Sequence, residues 1–239
     1  AGYGTKAHFE GLNRLGVTRT MEGYLTYISN IVAATEDGYL QPVFGITQET
    51  ELDERQIDTL KGYNNMGPVR VGNGAYTQVQ NDGYGSVILA CAQTFFDQRL
   101  SKPGDATLLK RLERLGEQAV KRWDAPDAGL WELRTRQEVH TFSSMMCWAA
   151  CDRLARICER LKQTDRAAYW RNHADLIRAG ILERAWNAEL NSFTDAFGGE
   201  HPDASLLLMC ELGFLPADDP RFLGTLAFVE EKLRRGPSL

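Results

Sequence analysis

The sequence predicts an all-α fold, a ring of helical hairpins with its polar loops gathered on one side. Three observations carry that expectation. Apolar residues recur at helical spacing over five long segments. Connections alternate between tight turns, at 15–18 and 162–165, and long loops rich in glycine and aromatics, at 36–78, 123–141 and 186–203. No unit of roughly 34 or about 40 residues repeats, as an open helical solenoid would require.

In chain order, residues 4–15 fit a short first helix, and 17–34 place Val17, Met21, Leu25, Ile28 and Val32 on one stripe. The stretch DGYLQPVFGIT, 37–47, reads as a small β-hairpin on the loop side. A further helix fits 79–98. Residues 105–123 start from an N-cap at Asp105 and repeat Leu108, Leu112, Leu115, Ala119 and Trp123. Residues 142–161 align Cys147, Ala150, Leu154, Ile157 and Leu161. After a cap at Asp165, residues 165–186 align Trp170, Ala174, Ile177, Ile181 and Ala185. A short helix over 203–213 stops at Gly213. DDPRF then supplies Asp219 as cap and Pro220 at the first helical position, ahead of Phe222, Leu226, Val229 and Leu233. No linker of proline, serine or charge interrupts the pattern, so residues 1–239 are expected to form one domain.

Bulk properties exclude several classes. A net charge of −5 gives no electrostatic reason to expect nucleic acid or an anionic membrane as partner. No apolar run approaches the roughly 18 residues of a membrane span, and AGYGTKAHFEG lacks the basic-then-apolar order of a signal peptide. Cys147, Cys151 and Cys158 share one helix face and read as small core residues. With no CxxC and no Cys/His pair at ligand spacing, neither metal nor cofactor is expected. Reduced thiols favour the cytoplasm.

Three long-loop segments have a composition suited to carbohydrate: 62–85, 123–153 and 193–208 combine aromatic faces with amides, arginines and carboxylates. On composition alone they read equally as polar loops with helix caps. PDAGLWELR, 126–134, is the odd one, because loops seldom present a tryptophan beside a carboxylate unless the loop has a task.

GPVRVGNGAYTQVQNDGYG, PDAGLWELR, SSMMCWAACDR and PDASLLL resemble, in order, successive landmarks of glycoside hydrolase family 15, the glucoamylase, glucodextranase and bacterial trehalase family. The resemblance runs from about residue 12 to the end of the chain. It implies an (α/α)6 barrel and hydrolysis of an α-glucosidic bond with inversion. It makes Glu132 the general acid, with Trp131 and Leu130 supplying apolar surface that would keep the carboxyl protonated. Asp127 and Glu138 are weaker candidates for that role. Arg70, Asn73, Gln80 and Asp82 are expected to line the sugar pocket, although Asn73 and Asp82 also suit turn or helix caps. Arg134 reads as a substrate contact or a loop salt bridge, Asp203 as a substrate contact or a cap, and Trp148 as core.

The chain also departs from the family pattern. Inversion needs a second carboxylate about 6.5–9.5 Å from the acid, and the family carries that base in a later loop. An Arg-Asp pair that grips the terminal glucose precedes the region matched by residue 1. The expectation is therefore a partial barrel, about eight of twelve helices, cut at both ends, with its general base outside the chain. The expected substrate is an oligosaccharide or α-glucan releasing β-glucose, with trehalose as the alternative within the family. A non-catalytic helical scaffold or carbohydrate-binding module is the alternative outside it.

Overall fold

The computed structural model describes residues 11–35 and 37–236. Residues 11–14 are helical and turn into α1, Thr18–Ala34; residues 4–10 of the expected first helix lie outside the described residues. The longer helices that follow are α2 (Asp82–Phe96), α3 (Ala106–Arg122), α4 (Thr141–Arg160) and α5 (Thr164–Arg184). A 3-10 turn, Ala204–Leu208, leads into the short α6 (Met209–Leu212), and α7 spans Pro220–Leu233. Two-residue antiparallel ladders join β1 (Arg55–Gln56) to β2 (Arg70–Val71) and β3 (Trp186–Asn187) to β4 (Ser192–Phe193).

Burial sorts the helices into two layers. Eleven of the fifteen residues of α2 and sixteen of the twenty of α4 are buried, so both are enclosed nearly all round. In contrast α3 buries five of seventeen and α5 five of twenty-one, each along one stripe. Helices α2 and α4 are thus the inner pair and α3 and α5 the outer pair, as expected of a ring of α/α hairpins. α4 packs against α2, α3 and α5. Its approach to α2 requires Gly85, because a Cβ there would lie 2.2 Å from the carbonyl oxygen of Met146.

The start signals operate largely as expected. The carboxylate of Asp105 accepts from Leu108 N at 2.7 Å, and that of Asp219 from Arg221 N at 2.9 Å beside Pro220. Gly213 closes α6 in the left-handed conformation, φ +78°. Trp170, Ala174, Ile177, Ile181 and Ala185 are all buried.

The differences are local. Residues 37–47 form no strand. Gln41 Nε2 bonds to the carbonyls of Val43 and Thr50, and a turn closed by Gly45 and Glu49 takes the main-chain groups a ladder would use. On α3, Leu109 rather than Leu108 is fully buried, since the helix turns that position toward the core. Asp165 is not a cap: the helix begins one residue earlier, at Thr164, and Asp165 lies in the first turn, where its charge complements the helix dipole. Leu161 and Leu233 are exposed at or beyond helix ends. Cys147, Cys151 and Cys158 are buried in the core, as the spacing predicts. Among the described residues no helix is long and apolar enough to cross a membrane.

Candidate active site

The segments that enter the two inner helices lie side by side. Residues 62–81 lead into α2 and residues 123–140 into α4, and Ala128 N donates to the carbonyl of Val79 at 2.9 Å between them. Within the second segment, Asp127 and Glu138 exchange both main-chain hydrogen bonds, pinching a loop that holds Trp131 and Glu132 at its tip.

That tip is conformationally demanding. Glu132 has φ +55°, a left-handed conformation that costs a side-chain-bearing residue roughly 1–2 kcal/mol. Hydrogen bonds offset the strain: Glu132 N donates to Gly129 O and Leu133 N to Ala128 O, each at 3.1 Å. Gln78 Nε2 reaches the Glu132 carbonyl at 3.4 Å, and Gln80 Nε2 in turn donates to Gln78 Oε1 at 3.1 Å. Gly129, φ +66°, lets the loop fold over the ring of His140, which a Cβ would meet at 2.7 Å. Glu132 itself is half-buried.

Leu130 packs against the core, but Trp131 is 61% exposed and its indole N–H donates to Asp203 Oδ2 at 3.2 Å. Beneath the loop lie two enclosed carboxyls. Asp82, 1% exposed, is the first residue of α2, with neither oxygen hydrogen-bonded. Burial pushes it up to about 6, and the nearby Glu132 carboxylate acts in the same direction. Asp127 accepts from Asn81 N and Ser143 Oγ, both at 2.7 Å. Burial nevertheless raises it to about 7, and Asp82 adds to the rise. His140, buried with its Nε2 unpartnered, is held below the usual imidazole range by burial.

The remaining expected contacts divide by exposure. Arg70 and Arg134 are exposed and both engage Glu54, at 3.3 and 3.1 Å. The Arg134 hydrogen bond, then the Gly74 N–H, holds Glu54 below the usual carboxylate range. Asn73 caps the 3-10 turn Gly74–Thr77 by accepting from Ala75 N at 3.0 Å. Gln80, Asp82 and Asp203 are buried where the two segments meet the inner helices. Asp203 is also a cap, accepting from Ser205 N at 2.8 Å. Trp148 is core, packed edge-on against Phe214.

Sequence reasoning missed three residues, Gln78, His140 and Glu54. Gln78 and His140 were visible within quoted segments but had no distinguishing neighbour. Asp127, a weaker candidate for the acid, accepts from Asn81 N and Ser143 Oγ at the base of the loop. Glu54 had no local signal at all, since its partner Arg134 is 80 residues away. Among the described residues no group of three histidines, cysteines or carboxylates is arranged to hold a metal.

Two layers of helical hairpins, with a strained carboxylate loop where the inner helices begin, make the described residues a portion of an α/α-hairpin fold. The sequence profile of glycosyl hydrolases family 15 matches residues 8–238, and the chain belongs to that family. It is 38% identical over 226 residues to a trehalase of Mycobacterium tuberculosis (strain ATCC 25618 / H37Rv), covering 93% of this chain and 32% of that protein. A trehalase of Mycolicibacterium smegmatis (strain ATCC 700084 / mc(2)155) is 34% identical over 93% of this chain and 33% of its own. One of Thermoplasma volcanium (strain ATCC 51530 / DSM 4299 / JCM 9571 / NBRC 15438 / GSS1) is 31% identical over 94% and 35%. The chain thus spans about a third of the length of these curated relatives. No solved structure matches it.

Proposed function

We propose that the protein hydrolyses the α-glucosidic bond of trehalose with inversion, and that Glu132 is the general acid. The observation that supports this most is the tip of the acid loop, where Glu132 is held at φ +55° by hydrogen bonds from both sides beside an exposed indole. Backbone strain of this kind persists where the surroundings enforce it, and it concentrates at functional sites. The relatives named above are trehalases, which favours trehalose over the maltooligosaccharides and α-glucans that the sequence alone suggested.

The chemistry follows from the substrate. Trehalose joins two α-glucosyl units through one oxygen, and cleavage needs a proton on that oxygen as the C1–O bond breaks. Glu132 supplies it, while a carboxylate across the pocket, about 6.5–9.5 Å away, takes a proton from the attacking water. Water adds to C1 from the opposite face, so that glucose leaves as the β anomer and its partner as the α anomer. The departing oxygen receives the Glu132 proton, and the base holds the proton from water until both carboxyls are reset by solvent.

A proton NMR time course on trehalose, maltose, isomaltose and panose with the full-length protein tests the reading. Trehalose should be the preferred substrate and should release α- and β-glucose in equal amounts before mutarotation. Preference for maltose with β-glucose alone from the non-reducing end would restore the glucoamylase reading. No turnover of any of the four would favour a binding scaffold.

A further inference from the structure

Asp203 is more than nine-tenths buried, and its two carboxylate oxygens do different work. Oδ1 accepts from Ser205 N at 2.8 Å and caps the 3-10 turn Ala204–Leu208. Oδ2 accepts from the indole N–H of Trp131, 72 residues away in sequence. The turn is anchored in the core, since Leu206 and Met209 are fully buried. The strand of chain before it is tied to the start of α4: Thr141 N donates to Asp195 O, and His140 and Ala196 form a bridge. Trp131 has no comparable packing, because most of its surface is in solvent. An exposed indole on a loop has many orientations open to it, and a charge-assisted hydrogen bond to a buried, already immobilised carboxylate selects one. The residue after it is Glu132, held at φ +55° with its N–H on Gly129 O and its carbonyl taken by Gln78.

We propose that Asp203 is a positioning residue: it transmits the rigidity of the core through Trp131 to Glu132 and fixes the direction from which the acid delivers its proton. The proposal rests on Glu132 being the general acid. It differs from a capping role, which would affect only the stability of the 204–208 turn, and from a sugar contact, which would affect binding first.

The test is a double-mutant cycle in the full-length protein with Asp203→Ser, Trp131→Phe and the pair. Serine retains a capping hydroxyl but is too short to reach the indole, and phenylalanine keeps a ring without the N–H. On trehalose, Asp203→Ser should lower kcat about tenfold with KM changed less than about twofold, the scale expected when a catalytic group loses alignment. On α-glucosyl fluoride, whose leaving group departs without a proton, it should lose little. The double variant should be no slower than the slower single variant. Multiplicative losses, or equal losses on both substrates, would overturn the proposal, as would a lowered melting temperature with kcat intact. Asp203→Asn, of equal size but unable to accept at both atoms, should show the same selective loss and guards against misfolding of the serine variant. Glu132→Gln run alongside separates the two claims. If it too spares the fluoride while the cycle is multiplicative, the positioning role alone fails. If it loses equally on both substrates, the assignment of the acid fails.

Discussion

Helix α4 and the loop that leads into it are adjacent in the chain and held by opposite means. α4 is enclosed on nearly every side, its buried set mostly alanines, cysteines, methionines and other apolar residues, and it contacts three other helices. Its stability comes from many small contributions, and no one of them decides its shape. The loop over 124–140 has few such contacts. A handful of hydrogen bonds sets it: Asp127 to Glu138, Ala128 to Val79, Leu133 to Ala128, and Trp131 to Asp203. Apolar packing places the helix, whereas individually identifiable polar bonds place the site. Substitutions in the two regions should therefore separate stability from activity.

The largest effect is expected in the helical layer. Trp170 is 1% exposed and its N–H donates to Glu113 at 2.9 Å. Trp170→Ala should cost about 3–5 kcal/mol of stability, measured by urea unfolding, with kcat per folded molecule nearly unchanged.

Next is the buried acid at the start of α2. The folded value for Asp82, about 6, lies above its ordinary 3.8, so the folded state holds the proton more tightly. Its stabilising contribution is complete below the unfolded value and is lost as pH rises through the folded one. Between about pH 4 and pH 7, wild type should lose up to roughly 3 kcal/mol relative to Asp82→Asn. Unfolding free energies across that range read it directly, and a constant difference between the two proteins would contradict it.

Asp127 belongs to the loop side of the comparison. Asp127→Ala removes the acceptor for Asn81 N and Ser143 Oγ, and a donor left unsatisfied should cost about 1–3 kcal/mol. Unlike Trp170→Ala, it should also lower kcat, because the base of the acid loop is loosened; kinetics at a temperature well below unfolding would show this. The smallest effect is at the rim. Arg134→Gln removes one exposed partner of Glu54 and should change stability by less than about 1 kcal/mol, read as a shift in unfolding midpoint that shrinks further in high salt.

How much was legible in the sequence follows the same division. Helical periodicity exposed α1, α3, α4, α5 and α7, and the caps at Asp105 and Asp219 were readable because a cap is a local signal. Periodicity could not say that α4 is inner and α5 outer, since both show an apolar stripe. That distinction lay in what surrounds the stripe: the first twelve residues of α4, apart from Asp152, are small or apolar, whereas charged residues recur along the whole of α5. Near Glu132 the sequence singled out the loop but not the contacts that hold it. Asp203 and Arg134 find their partners 72 and 80 residues away, and no spacing rule reaches that far. The Asp203 bond likewise sets where the Trp131 indole sits, with most of it in solvent.

The central claim, that Glu132 protonates the departing oxygen, is tested most directly by comparing two substrates in Glu132→Gln. Glutamine is nearly the same size and cannot donate an acidic proton. In the full-length protein, kcat on trehalose should fall at least about 10²-fold, the scale of general acid catalysis. Turnover of α-glucosyl fluoride, which leaves without protonation, should be largely retained. Equal losses on the two substrates would contradict the account and would make Glu132 a binding group.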